Sequence, residues 1–351
     1  MAQFSIDNVA VKGIASAVPA NTESNWDYDL LTEKERRLLI KTTGVEFRRR
    51  AKKGLTTSDL CFEAAEKLLN ELQWNREEIS LLVFVSQSSD YYLPATAVIL
   101  QDRLGLPKSC MAFDIGLGCS GYVYGLSVVS SLMKTTGVSK ALLMVGDVST
   151  ATCSYDDKST YPLFGDAGAV TALELDKSAS PMQFSLSSDG SGHEAIMIPH
   201  GGARNLASPD SFKKKEVEKG ILRSDLHLAL NGLDIFDFSI QEVPEAIRTF
   251  LEKTATNNET YDYFVMHQAN KLMNETIRKK LKIDADKTPY SISKYGNTSS
   301  ASIPLTIVSE LQDEVKNQSL NLLITGFGVG LSLGVASLPL NKICCPTLIE
   351  V

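Results

Sequence analysis

Apolar residues recur at helical spacing from Thr57 to Leu72, and the pattern then changes to "EEISLLVFVSQSS", a short β-rich apolar run that ends in polar residues. A second helical pattern follows Cys119 to about Met133 and leads into "KALLMVGDVS", another continuous apolar run. Helices alternating with continuous apolar strands predict a mainly parallel sheet covered on both faces. The second half repeats the theme. "EAIRTFLEKTATNNETYDYFVMHQAN" lines up with "EAAEKLLNELQWNREEISLLVFVSQ", and "LNLLITGFGVG" echoes "KALLMVGDVS". A duplicated α/β architecture is expected, with halves 1–176 and 177–351 joined near Asp176 to Pro181 and packed as one body.

The run from Leu322 to Leu340, "LLITGFGVGLSLGVASLPL", carries no charge and is long enough to span a bilayer by count. Its glycines and Pro339 predict instead two buried strands joined by a tight turn. No membrane association is expected.

With 351 residues, 43% of them apolar, the chain can bury a substantial core. Its six cysteines, Cys61, Cys110, Cys119, Cys153, Cys344 and Cys345, form no CxxC pair or regular framework, and no basic-then-apolar leader opens the sequence. A reducing cytoplasm is expected. Four histidines without ligand spacing predict no metal site. A net charge of −7 argues against a general nucleic-acid binder. The basic runs Arg48-Arg49-Arg50, Lys213-Lys214-Lys215 and Arg278-Lys279-Lys280 read as solvated faces, any of which could contact an acidic carrier or a phosphate locally.

Three residues fall where strand ends present chemistry above a parallel sheet. Cys119, in "AFDIGLGCSGYVYGL", sits at the mouth of a helix, where free N–H groups and the helix dipole favour thiolate, so a thiol more acidic than a free cysteine is expected. His267, in "FVMHQAN", directly follows an apolar strand. Asn297, in "KYGNTSSASIP", precedes a helix start. Taken singly, each has a plain alternative: a packed core cysteine, a hydrogen-bonded core histidine, a helix cap. Together with the loop "GFGVGLSLG" they form a coherent set. A papain-like protease has the same Cys, His, Asn order, but it carries its nucleophile near the mature N-terminus in a different setting and lacks a duplicated parallel α/β pattern.

The motifs "TTGVEFRRR", "AFDIGLGCSGYVYGL", "YPLFGDAGAV", "SSDGSGHEAIMIPHGGARN", "LNGLDIFDFSI", "VMHQANKLMNETIRKKL", "YGNTSSASIPL" and "GFGVGLSLG" occur in one order across nearly the whole chain. In this the sequence resembles the thiolase superfamily, specifically β-ketoacyl-[acyl carrier protein] synthase III and its close relatives. The resemblance implies a thiolase fold, a duplicated five-layered αβαβα architecture, in a homodimer. It implies that Cys119 accepts the acyl group and that His267 and Asn297 stabilise the enolate of a malonyl thioester. The backbone N–H groups of Cys119 and Val329 would form the oxyanion hole. Substrate contacts are implied from Leu93, Phe164, Phe236, Ala269, Asn270 and Phe327, with Leu93 reaching the acyl chain across the dimer. The implied reaction is decarboxylative condensation of an acyl-CoA or acyl-carrier primer with a malonyl thioester, with acyl carrier protein as partner and no cofactor.

The chain departs from the family at the entrance. Leu38, Thr42 and Lys158 stand where well-studied bacterial members hold the coenzyme A nucleotide with a tryptophan and two arginines. Leu272, beside Lys271, replaces a docking arginine, and Asp237 a carrier-docking lysine. The "FGDAGAV" segment is one residue shorter, and Val329 replaces a glycine. These changes keep open an acyltransferase of the same fold, passing the acyl group to an oxygen, nitrogen or sulfur acceptor, and a non-catalytic partner of another ketosynthase.

Overall fold

A computed structural model of the protein describes residues 1–351. Thr57–Leu72 forms α1. The Thr56 side chain accepts from the Asp59 N–H and the Asp59 side chain accepts from the Thr56 N–H, a reciprocal cap that fixes the helix start. One face, Leu60, Cys61, Ala64, Ala65, Leu68 and Leu69, is buried against the strands that follow.

One sheet has six strands: β2 (Val9–Val18), β3 (Ile79–Val85), β4 (Met111–Ile115), β5 (Lys140–Asp147), β6 (Ala167–Leu175) and β11 (Ile349–Glu350), in spatial order β11-β2-β6-β5-β3-β4. The other has five: β1 (Ala2–Ile6), β7 (Met182–Ser188), β8 (Tyr263–Met266), β9 (Ser319–Gly328) and β10 (Ser332–Asn341), in order β1-β7-β10-β9-β8. The termini are exchanged: β1 pairs with β7 in the second sheet, and β11 with β2 in the first.

The sheets are mixed, which corrects the expectation of mainly parallel pairing. Parallel pairs join β3 to β4 and β5, β8 to β9, and β11 to β2. The β2–β6, β5–β6, β9–β10, β7–β10 and β1–β7 pairs are antiparallel. In the uncharged run Leu322–Leu340 the cause is local: three residues between β9 and β10 can only return the chain antiparallel. No helix is long and apolar enough to cross a membrane.

Between the sheets lie α3 (Gly121–Thr136) and α6 (Ser302–Glu310), whose buried faces join both sheets in the main core. Helix α3 fits there because it is thin on one side. A Cβ on Gly125 would meet Leu143 Cδ1 at 2.8 Å, and one on Gly121 would meet Val85 Cγ1 at 2.8 Å. α1 and α2 (Thr96–Arg103) cover the outer face of the first sheet, and α4 (Gly232–Lys253) and α5 (Lys271–Lys280) that of the second. The layering is helix, sheet, helix, sheet, helix.

Candidate active site

Strand ends from both sheets meet over the paired central helices. Gln87 and Ser88 follow β3, Cys119 follows β4, Asp147 ends β5, His267 follows β8, Gly328 ends β9 and Val329 follows it. All of them line one cavity of about 360 Å³, together with Asn297 and Ser299. Phe164, Phe236, Ala269, Asn270 and Phe327 line it as well. Leu93 does not: it lies in the loop between β3 and α2 and is 82% exposed, so within one chain it touches no part of the cavity. A wider cleft of about 710 Å³, near Lys12, Asp176 and Asn321, holds none of the candidate residues.

Cys119 is buried just ahead of α3. Burial pushes its thiol up to about 11, against the N–H groups of Val329 and of Cys119 itself and the Ser299 hydroxyl, which favour the thiolate. This corrects the expectation of an acidic thiol. The helix N-terminus is present, but desolvation outweighs it in the resting cavity, and the nearby Asp147 carboxylate adds to the rise. Glycines make the approach possible. A Cβ on Gly326 would stand 2.9 Å from Ser120 Cα, and one on Gly118 would meet the Val329 side chain at 2.9 Å. The turn carrying Val329 is tied down by Ser332, whose hydroxyl pairs with that of Ser120 at 2.7 Å and bonds the Val329 carbonyl at 2.8 Å.

His267 is buried, its N–H donating to the Thr325 carbonyl at 2.8 Å as the chain leaves β8. Its Nδ1 lies 2.7 Å from the Ser302 hydroxyl oxygen, which accepts from the Gln268 N–H at 3.4 Å. With the Ser302 proton assigned to Nδ1, the ring carries its own proton on Nε2, and the Ser299 backbone carbonyl beside the ring favours that ring's protonated form without offsetting burial. Burial lowers the ring to about 3, so the imidazole is neutral. Asn297 is fixed by a parallel bridge: its N–H donates to the Leu163 carbonyl at 2.9 Å, and its own carbonyl accepts from the Gly165 N–H at 3.0 Å. Its Oδ1 accepts from the Ser299 N–H at 2.9 Å, which leaves the side-chain NH₂ as the free donor.

Sequence reasoning missed Ser299 and Asp147. Ser299 has φ +53, left-handed for a residue with a Cβ, and it stands against Cys119, His267, Asn297 and Asp147. It lies two positions past Asn297 in "GNTSS", but nothing in the spacing marks its conformation.

The basic runs are largely neutralised in place. Arg48 and Arg50 both pair with Glu23, and Arg49 with Glu350. Lys213, Lys214 and Lys215 pair with Asp210, Asp156 and Asp225, and Arg278 with Glu275. No group of three or more His, Cys, Asp or Glu is placed to hold a metal ion.

Residues 113–190 match the family described as "3-Oxoacyl-[acyl-carrier-protein (ACP)] synthase III", and residues 251–339 match its C-terminal counterpart. A β-ketoacyl-[acyl-carrier-protein] synthase III of Clostridioides difficile (strain 630) is 33% identical over 331 residues, covering 93% of this chain and 96% of that protein. The chain belongs to the 3-oxoacyl-[acyl-carrier-protein] synthase III family. A 3-oxoacyl-(acyl-carrier protein) synthase from Burkholderia xenovorans LB400 superposes with TM-score 0.94 at 37% identity, covering 100% of this chain and 99% of that one. The synthase III of Pseudomonas aeruginosa PAO1 gives TM-score 0.83 at 28% identity, covering 96% and 99%. The five alternating layers are therefore the thiolase fold of synthase III proteins. In this synthase III chain several of the departures lie at the surface, where Leu38 and Leu272 are exposed apolar residues and the Lys158 side chain lies against Gly220, whereas Val329 lines the cavity itself.

Proposed function

We propose that the protein is a ketosynthase that takes an acyl group from an acyl-CoA or acyl-carrier primer onto Cys119 and condenses it with a malonyl thioester, releasing carbon dioxide. The observation that carries this reading is the convergence of Cys119, His267 and Asn297 in one enclosed cavity, with the Val329 amide on the thiol. The first half, 1–176, supplies the nucleophile, and the second, 177–351, supplies both donors.

Sulfur attack on the primer thioester gives a tetrahedral oxyanion held by the N–H groups of Cys119 and Val329, and its collapse leaves an acyl-cysteine. When the malonyl group loses carbon dioxide, negative charge moves onto its thioester oxygen. His267 Nε2–H and the Asn297 NH₂ are the two side-chain donors that line the cavity to receive it. A neutral imidazole suits this role, because it donates without first having to be charged, and burial keeps it neutral at any pH near 7. The enolate carbon then attacks the acyl-cysteine, and the same oxyanion hole serves the second tetrahedral state. Phe164, Phe236, Ala269, Asn270 and Phe327 shape the space for the acyl chain and the carrier arm.

The working form is a homodimer in the cytoplasm, with acyl carrier protein as partner and without nucleic acid or membrane. β4 is the unpaired edge of the six-stranded sheet, and Tyr91, Tyr92 and Leu93 project from the neighbouring loop, which supports pairing of two copies along that edge. Leu93 would then enter the partner's cavity.

Intact mass after mixing the protein with acyl-CoA and acyl-carrier thioesters of increasing length tests the first step. A gain of one acyl group, absent in Cys119→Ala, is expected; no gain with any thioester contradicts the reading. The altered rim, Leu38, Lys158 and Leu272, favours one second reading, transfer of the acyl group to another acceptor without decarboxylation.

A further inference from the structure

The thiol proton of Cys119 has no ready acceptor in either His267 or Asn297. His267 is a poor base, since burial lowers it to about 3 and Nδ1 is occupied by Ser302. The free side-chain group of Asn297 is a donor. The thiol itself, pushed up to about 11, does not ionise freely near neutral pH.

Two unassigned residues stand beside it. Asp147 is 2% exposed at the end of β5, and its Oδ1 accepts from the Gln87 N–H at 2.7 Å, the Ser86 hydroxyl at 3.0 Å and the Ser88 hydroxyl at 3.1 Å. Its Oδ2 is enclosed with no partner at full hydrogen-bonding geometry, yet the residue lines the cavity. The donor group next to that carboxylate is the Ser299 hydroxyl, which also faces the Cys119 sulfur. Ser299 is held there in the left-handed region, φ +53, by the bond from its N–H to Asn297 Oδ1 and by packing of the 299–301 turn on β5. A residue with a Cβ rarely takes this conformation, and such strain collects where a side chain must be aimed.

We propose that Ser299 and Asp147 form a relay that seats the Cys119 thiol and takes up its proton during acylation. This rests on Cys119 being the acylated nucleophile. As sulfur attacks the thioester carbon, the S–H proton passes to Ser299 Oγ while the Ser299 hydroxyl proton passes to Asp147 Oδ2, leaving a neutral acid. When the tetrahedral state collapses, the carbon–sulfur bond to the carrier breaks with its electron pair on the leaving sulfur. The proton then returns from Asp147 through Ser299 to that thiolate, which departs as a thiol. Protons and charge balance, and no further reactant is needed. Burial raises the proton affinity of Asp147, which suits it to the acceptor's part. The titratable groups within reach of Asp147 are Cys119 on the cavity side and Cys61 on the α1 side of the sheet, and His267 lines the same cavity.

The test is alkylation of Cys119 by iodoacetamide, mapped to its peptide, as a function of pH in the full chain and in Asp147→Asn, Ser299→Ala and the double variant. A relay gives the unaltered protein a rate that is nearly flat with pH around neutrality. Each variant should be at least about tenfold slower near pH 7, with a rate that climbs about tenfold per pH unit, and the double variant should be no slower than the singles. If Asp147 is only a negative charge beside the thiol, Asp147→Asn lowers the thiol's pKa and speeds alkylation. A faster or unchanged rate in the variants overturns the proposal. Asn keeps an oxygen for the three donors on Oδ1, and should that variant fail to fold, the change from a flat to a climbing pH profile in Ser299→Ala decides, since a lower rate alone follows from losing a hydroxyl that favours the thiolate. Iodoacetamide is not a substrate, so a flat profile in a protein that no thioester acylates would fail the functional reading and leave the relay standing.

Discussion

Gly328 and Cys119 are in such close contact that a Cβ added to the glycine would lie 2.8 Å from Cys119 Cβ and 2.9 Å from its sulfur. The glycine also has φ +147, a conformation that residues with side chains rarely adopt. Gly328→Ala therefore displaces either the thiol or the turn that offers the Val329 amide. A loss of at least about a hundredfold in acylation rate is expected, the scale of one lost oxyanion donor, with the fold retained by circular dichroism. Acylation within about threefold of the unaltered protein would contradict the contact.

His267 is assigned to enolate stabilisation rather than to proton transfer in loading, so its two half-reactions should separate. His267→Ala should still form the acyl-enzyme while losing decarboxylation by about a hundredfold or more. Because its ring is held near 3, no loss of decarboxylation attributable to imidazole titration should appear between about pH 5.5 and 8, the range in which an ordinary histidine changes charge. A rate step near pH 6.5 that vanishes in His267→Ala would count against the assignment.

Arg48 is wholly buried, donating to the carbonyls of Tyr161 and Phe164, the latter at 3.2 Å, and to Glu23 at 2.6 Å. The Leu163–Gly165 segment it clamps is the one bridged to Asn297. Arg48→Met leaves these acceptors facing an apolar side chain and should cost about 3–5 kcal/mol of stability, read by denaturant unfolding. A cost below about 1 kcal/mol, the range of exposed pairs, would mean that the clamp is not important.

Asp166 is enclosed among donors from Ala51 and Thr150, yet burial raises it to about 6. The folded pKa thus lies above the unfolded one, and the folded state holds the proton more tightly. Its contribution is fully present below about pH 4 and is lost as pH rises through about 6, a change of about 3 kcal/mol at most. The unfolding free energy at pH 7 minus that at pH 4 should be more positive in Asp166→Asn by up to that amount. An identical difference in both proteins would show that the carboxyl is not perturbed.

The α1 helix, the helix after Cys119 and the β9–β10 hairpin were legible in the chain because each buries a continuous face or run that periodicity records. The antiparallel partners of β2 and β6 were not, since continuous apolar strands look alike whichever way their neighbours run. The trio was legible from motif and order, whereas Ser299 and Asp147 were not: a serine turned by a left-handed backbone and an aspartate with one bare oxygen leave no spacing signal. Arg48-Arg49-Arg50 reads as a charged surface run, yet strand alternation carries Arg48 inward to Glu23 and the cavity wall. The acidity of the Cys119 thiol was not legible either, because a helix N-terminus is visible in sequence and desolvation is not.

The most direct test of the condensation itself is carbon dioxide release from a malonyl thioester on protein already carrying an acyl group on Cys119, followed together with the intact mass. Release matched one for one by loss of the acyl adduct and appearance of a 3-oxoacyl thioester is the predicted result. Loss of the adduct to an added acceptor with no carbon dioxide would contradict condensation and identify a simple acyl transfer.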